Sequence, residues 1–224
     1  MRKLAWLLLA LGVAAVTASL GAWQLRRAEF KLALQAVQQR AAALPPLASL
    51  QGAQEHRRAT LQGVWQARHQ VWLANRSQGG QAGFVLLTPL QLRDGRWLWV
   101  QRGFHPRSQA GFAAPPWPPT PAGEVSVAGR LAREASRSFD LGEAGQGAVR
   151  QNLEPAQPPV PGVAMARWVL WQLVDCAPLR CDWPAPDSGV AKHHGYAAQW
   201  FALAVLSLVL YAWFQVLPRR RARR

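Results

Sequence analysis

The stretch LAWLLLALGVAAVTASLGAW, Leu4 to Trp23, decides how the rest of the chain is read. Its 20 residues carry no charge, and about 20 apolar residues are what a helix needs to cross the hydrocarbon core of a bilayer. A second uncharged run, YAAQWFALAVLSLVLYAWFQVL, fills Tyr196 to Leu217. Nothing between the two approaches that length. Half of the residues are apolar, yet mean hydropathy is close to zero. The apolar content is therefore concentrated at the ends, and the middle is an extramembrane domain. The expected organisation is a cytoplasmic N-terminus at 1–3, a transmembrane helix at 4–23, and a β-rich domain with an N-terminal helical extension at 24–195. A second transmembrane helix at 196–217 and a basic cytoplasmic tail at 218–224 complete it.

The formal net charge of +15 raises nucleic acid as a partner, so its placement matters. Arg2 and Lys3 precede the first span; Arg219, Arg220, Arg221, Arg223 and Arg224 follow the second. Basic residues flank spans on the cytoplasmic side, which puts both ends there. Between the spans lie 19 of the 26 basic residues and all 11 acidic ones, a dispersed excess of eight. No basic face of the kind that tracks phosphates is implied; the tails read as topology signals and contacts for anionic lipid. Arg26 and Arg27 sit at the other end of the first span and oppose this orientation, but the tail PRRRARR is denser and decides it. Arg2, Lys3 and Thr17-Ala18-Ser19 imitate a cleavable signal peptide. The apolar run continues to Trp23, however, which favours an uncleaved anchor.

After the first span, AEFKLALQAVQQRAAAL has neither Gly nor Pro, so the anchor helix is expected to continue until Pro45-Pro46 stops it. Phe30, Leu34, Val37 and Ala41 recur at helical spacing and predict a face that packs on the domain. The pattern then becomes β. ATLQGVW, HQVWLANR, GFVLLTPLQL, RWLWVQRG, EVSVAGRL and RWVLWQLV read as strands, with a bulge expected at Gly63 and a hairpin turn at Asp94-Gly95. Pro-rich loops at Ala113–Gly123 and Pro155–Pro161, and a Gly-rich stretch at Leu141–Gly147, separate them. The loops read as rigid connectors in preference to polyproline ligands. Five or six strands predict a mainly antiparallel sheet that can curl into a partial barrel, making the chain an α+β membrane protein.

No GxSxG elbow, Walker loop, HExxH or dinucleotide turn is present, and GQGAVR follows no apolar strand. The chain is not expected to be an enzyme; acids gathered in a pocket would revive that reading. Cys176 and Cys181 are close enough in sequence for a disulfide in an oxidising compartment, or they remain free thiols. His193, in AKHHGYAAQWFALA, stands at the edge of the second span. A neutral imidazole is a standard axial ligand of haem iron, although a histidine there can also simply cap or anchor the helix. His194 points about 100° away on a helix. Tyr196 and Trp200 lie where interfacial aromatics are common.

Four motifs in order resemble the surfeit locus protein 1 family. In GAWQLRRAEFK, Gly21, Trp23, Gln24, Arg27 and Lys31 match. In LANRSQGGQAGFVLLTPLQLRDGRWLWVQRGF, Arg76, Gly83, Thr88, Pro89, Arg102 and Gly103 match. Gly129, Arg130 and Glu134 match in VSVAGRLARE, as do His193, Tyr196, Gln199, Trp200 and Phe201 in CDWPAPDSGVAKHHGYAAQWFALA. The chain departs from the family at Phe104 and His105, where Trp-Val is usual, and at His194, where an apolar residue is common.

The resemblance implies an assembly factor for haem-copper cytochrome c oxidase that assists haem A delivery or insertion. Its partners would be the oxidase catalytic subunit, haem A synthase and the lipid bilayer, with no nucleic acid. It implies a bacterial inner membrane, both termini cytoplasmic and the central domain periplasmic. Carried over by residue, His193 becomes the candidate haem-iron ligand. Arg76 and Arg102 become candidate propionate contacts through bidentate charge-assisted bonds, or else supports of the hairpin. The alternative is a scaffold without haem, holding an oxidase subunit through Ala197, Ala198, Ala202 and Ala204 with Gly12, Ala14, Ala15 and Ala18.

Overall fold

A computed structural model describes residues 2–108, 113–138, 147–183 and 189–216. The chain divides into two compact units, Met1–Val37 with Asp187–Arg224, and Gln38–Pro186. Most of the Gly-rich stretch at Leu141–Gly147, the basic tail at 218–224 and Leu217 lie outside the described residues.

The helix α1 (Arg2–Ala43), whose residues up to Val37 belong to the first unit, is one unbroken helix of 42 residues. At 1.5 Å per residue it is about 63 Å long, roughly twice the hydrocarbon thickness of a bilayer. It ends two residues before Pro45, whose ring allows no further helical hydrogen bond. The second helix, α2 (Val190–Tyr211), passes into a π turn over Ala212–Val216. Only 11% of each helix's most apolar window is buried, and both are long and apolar enough to cross a membrane. Leu8, Val16, Val205 and Val209 are exposed, so these faces suit lipid.

Most of what the two helices bury is small or polar. Along α1, Ala10, Ala14, Thr17, Gly21, Gln24, Ala28 and Lys31 are buried or half-buried, in alternating steps of four and three residues. Along α2 the same alternation joins Val190, His193, Ala197, Trp200, Ala204, Ser207 and Tyr211. A 3.5-residue repeat on both partners is the signature of a left-handed helix seam. Ser207 Oγ lies 3.4 Å from the Ala10 carbonyl, and His193 Nδ1 lies 2.6 Å from Gln24 Oε1. The pair is therefore antiparallel. A Cβ on Gly21 would come within 2.9 Å of the Phe201 ring, so backbone and ring meet there without a side chain between.

The second unit is a closed barrel. Strands β1 (Arg58–Trp65), β2 (Val71–Gln78), β3 (Gln81–Leu92), β4 (Trp97–Pro106), β5 (Glu124–Ala132), β6 (Val149–Arg150) and β7 (Met165–Gln172) form one sheet. Its order is β1-β5-β7-β4-β3-β2-β6, and β1 pairs again with β3. That second pairing closes five strands into a ring, with β2 and β6 continuing outside it. The ring order matches an OB-type Greek-key barrel, a likeness of fold that carries no activity with it. β3 makes closure possible by its length, since its first half pairs with β2 and its last three residues with β1. The turn from β3 to β4 uses Asp94-Gly95, Gly95 holding φ +84° where a Cβ would be disfavoured.

Several expectations change here. The fold class holds, an α+β chain with two long apolar helices flanking a β domain that curls into a barrel; the described residues contain seven strands, not five or six, and the barrel is fully closed. The β4–β7 and β2–β6 pairs are parallel, although most neighbours are antiparallel. Gly63 is not a bulge, because its register with β5 is unbroken. It is the point where β1 passes to β3, and a Cβ there would meet the Gln91 carbonyl at 2.3 Å. Phe30, Leu34 and Val37 are exposed instead of packed. Of the two alternatives left open for Cys176 and Cys181, the structure has the disulfide.

Candidate functional site

His193 sits in the first turn of α2, its N–H bonded to the Gly189 carbonyl. It is half-buried on the seam, whereas His194 faces outward. The imidazole Nδ1 lies 2.6 Å from Gln24 Oε1; an amide oxygen only accepts, so this pairing calls for a ring proton on Nδ1. A neutral imidazole carries one ring proton, so a proton held on Nδ1 leaves a lone pair on Nε2. No described residue hydrogen-bonds to Nε2. Trp200 follows two turns along the same seam, and Tyr196 is exposed. A metal-bound imidazole coordinates through its unprotonated nitrogen and commonly donates its other N–H to an acceptor. The His193–Gln24 pair supplies that second contact.

The two arginines belong to the barrel unit and share no partner. Arg76, on β2, is 5% exposed. Its guanidinium bonds the carbonyls of Ala74, Ser136 and Gln151, the Ser136 hydroxyl and the Asn152 side-chain oxygen, at 2.6–3.2 Å. Burial pushes it down to about 10, so it stays charged at neutral pH. These bonds tie the β2–β3 hairpin to the segments beside Ser136 and Asn152. A propionate would have to displace them. Arg102, on β4, is also buried; its Nη1 donates to Thr120 at 3.0 Å, and its plane lies 5.0 Å over Trp65. Its Nε is buried without a hydrogen-bond partner among the described residues, and burial lowers its pKa.

The third sequence match, Arg130 and Glu134, borders an open groove of about 580 Å³ with His56, Arg133 and Trp171. Arg130 stacks 5.2 Å over Trp171. His56 holds φ 67°, an unusual conformation for a residue with a Cβ. Burial lowers its pKa, Glu55 opposes the shift and Arg130 adds to it.

Two things escaped the sequence. Gln24 stood in a matched motif with no role, and only the antiparallel seam brings it to His193. Ser136 and Asn152 gave no signal at all, because they lie 60 and 76 residues from Arg76.

Two membrane-competent helices sharing a polar, histidine-bearing seam, joined to a closed barrel, define a membrane-tethered barrel protein. The chain belongs to the SURF1 family, whose model matches residues 11–205. Members of that family are in general assembly factors of cytochrome c oxidase. No curated protein matches the chain.

Proposed function

We propose that this protein assists assembly of a haem-copper cytochrome c oxidase by holding haem A through His193 and passing it to the catalytic subunit. It acts as a carrier and not as an enzyme, in a bacterial inner membrane, with the barrel in the periplasm and the helix ends carrying Arg2 and the basic tail in the cytoplasm. Haem A synthase is the expected donor. The observation that carries the reading is the Nδ1–Gln24 hydrogen bond, which leaves Nε2 without a hydrogen-bond partner among the described residues. A single protein ligand suits a carrier, because cargo held by one bond is released more readily than cargo held by two.

The test is to purify the full chain in detergent from cells that make haem A and to record optical spectra of wild type and His193→Ala. Haem absorption in the wild type, lost or shifted in the variant, is expected. An unchanged spectrum in His193→Ala rejects the ligand. The scaffold reading has its own support in Ala198 and Ala202, which face away from the seam and are exposed, open to another helix. It predicts that bulky residues at those two positions abolish capture of an oxidase subunit while His193→Ala is neutral.

A further inference from the structure

We propose that Gln24 is the positioning residue of the His193 site, its side-chain oxygen fixing the imidazole as the Nδ1–H tautomer and so presenting Nε2 as the binding nitrogen. The inference rests on the haem reading above for its purpose, but not for its geometry. Both residues occupy seam positions and are half-buried there. Gly21 and Ala28 lie about one turn either side of Gln24 on α1 and are buried, so the Gln24 amide faces α2 between two small residues, with Lys31 one turn beyond Ala28 reaching towards Gly189. The contact is 2.6 Å from ring nitrogen to amide oxygen. Were the amide turned over, its N–H₂ would donate to Nδ1, the ring proton would move to Nε2, and the outward nitrogen would no longer ligate. One hydrogen bond thus biases which ring nitrogen His193 offers to a metal.

The identity of the acceptor also matters. Metal-bound histidines commonly donate their second N–H to a carboxylate, carbonyl or water, and that partner sets ligand basicity. A neutral amide takes less of the Nδ1 proton than a carboxylate would, so the nitrogen facing the iron is a weaker donor. Weak donation is what a carrier that must let go of its cargo requires.

The experiment uses the full chain in detergent, labelled with ¹⁵N-histidine, without haem. The chain has five histidines, and His193→Ala identifies the signal. The Nδ1–H tautomer is expected in wild type and in Gln24→Glu, and its loss in Gln24→Ala. Titration with haem A should then weaken by about 10-fold or more in Gln24→Ala, with binding regained in Gln24→Glu. The midpoint potential of the bound haem should fall in Gln24→Glu relative to wild type, because a stronger donor favours the ferric state. A wild-type His193 protonated on Nε2, or a tautomer and affinity indifferent to Gln24→Ala, overturns the proposal. Failure of the haem reading has a different mark: haem A then binds His193→Ala as well as wild type, while the tautomer signals still report on Gln24 alone.

Discussion

Arg76 is a cation buried among neutral acceptors, with no carboxylate within ion-pair distance among the described residues. Removing it would leave the carbonyls of Ser136, Ala74 and Gln151 without that donor in a place water reaches poorly, at about 1–3 kcal/mol for each one left unmade. Arg76→Ala is accordingly expected to lower stability by about 3 kcal/mol or more, read as the urea midpoint of the full chain in detergent. Arg76→Lys should recover little, because one ammonium cannot imitate a planar fork of five donors. His56 makes a pH-dependent contribution. Its folded pKa is depressed, chiefly by burial, so the unfolded chain binds the proton more readily. The stability it lends is complete above the ordinary histidine pKa and is lost as pH falls through the lower folded value. His56→Asn tolerates the left-handed backbone and does not titrate, so its melting temperature should fall less than that of wild type between pH 7 and pH 5. Equal slopes would dismiss the role. The sequence marked Arg76 as either a propionate contact or a support. What it could not display was the set of acceptors, which only folding gathers.

The seam between α1 and α2 is the element on which the candidate site depends. Gly21 faces the Phe201 ring, and a Cβ there would lie 2.9 Å from it. A ring can shift by tenths of an ångström, so Gly21→Ala should be mild, whereas Gly21→Leu should force the helices apart. The measure is cross-linking of Ala10→Cys to Ser207→Cys, positions already in contact. Gly21→Leu is expected to abolish the cross-link, and adding Phe201→Ala should restore part of it. Cross-linking unaffected by Gly21→Leu would show that the ring does not set the distance. The spans themselves were legible because twenty uncharged residues have few other uses. The seam was less so. Its small residues are scattered through runs that are apolar on every side, and a repeat of small residues carries little contrast there. The barrel shows the same limit. Strand positions followed from alternation and turn residues, but β3 buries eight successive residues, Gly83 to Leu90. Alternation cannot forecast burial on both faces, nor a parallel β4–β7 joint between strands almost 70 residues apart.

For the molecule as a whole, the decisive quantity is the number of membrane crossings. Two crossings put the ends carrying Arg2 and the basic tail on one side and the barrel on the other. The Cys176–Cys181 disulfide supplies an independent gauge of which side that is. Thiol pairs persist oxidised in the periplasm and are kept reduced in the cytosol. In intact cells whose thiols are trapped on lysis, the denatured chain should take up no maleimide until a reductant is added. A periplasm-dependent alkaline phosphatase inserted after Gly123, an exposed glycine at the end of the Pro-rich loop with open space around it, should be active. The same reporter fused after Arg224 should be silent. The two measurements fail separately. A silent insertion at Gly123 with reduced cysteines would place the barrel in the cytosol, and His193 with it at the inner face. An active insertion with reduced cysteines would keep the topology and make the disulfide a loop closed only in part of the population. Because that loop spans few residues, its loss should cost about 2 kcal/mol by chain entropy, so the barrel should stay folded long enough for either outcome to be read.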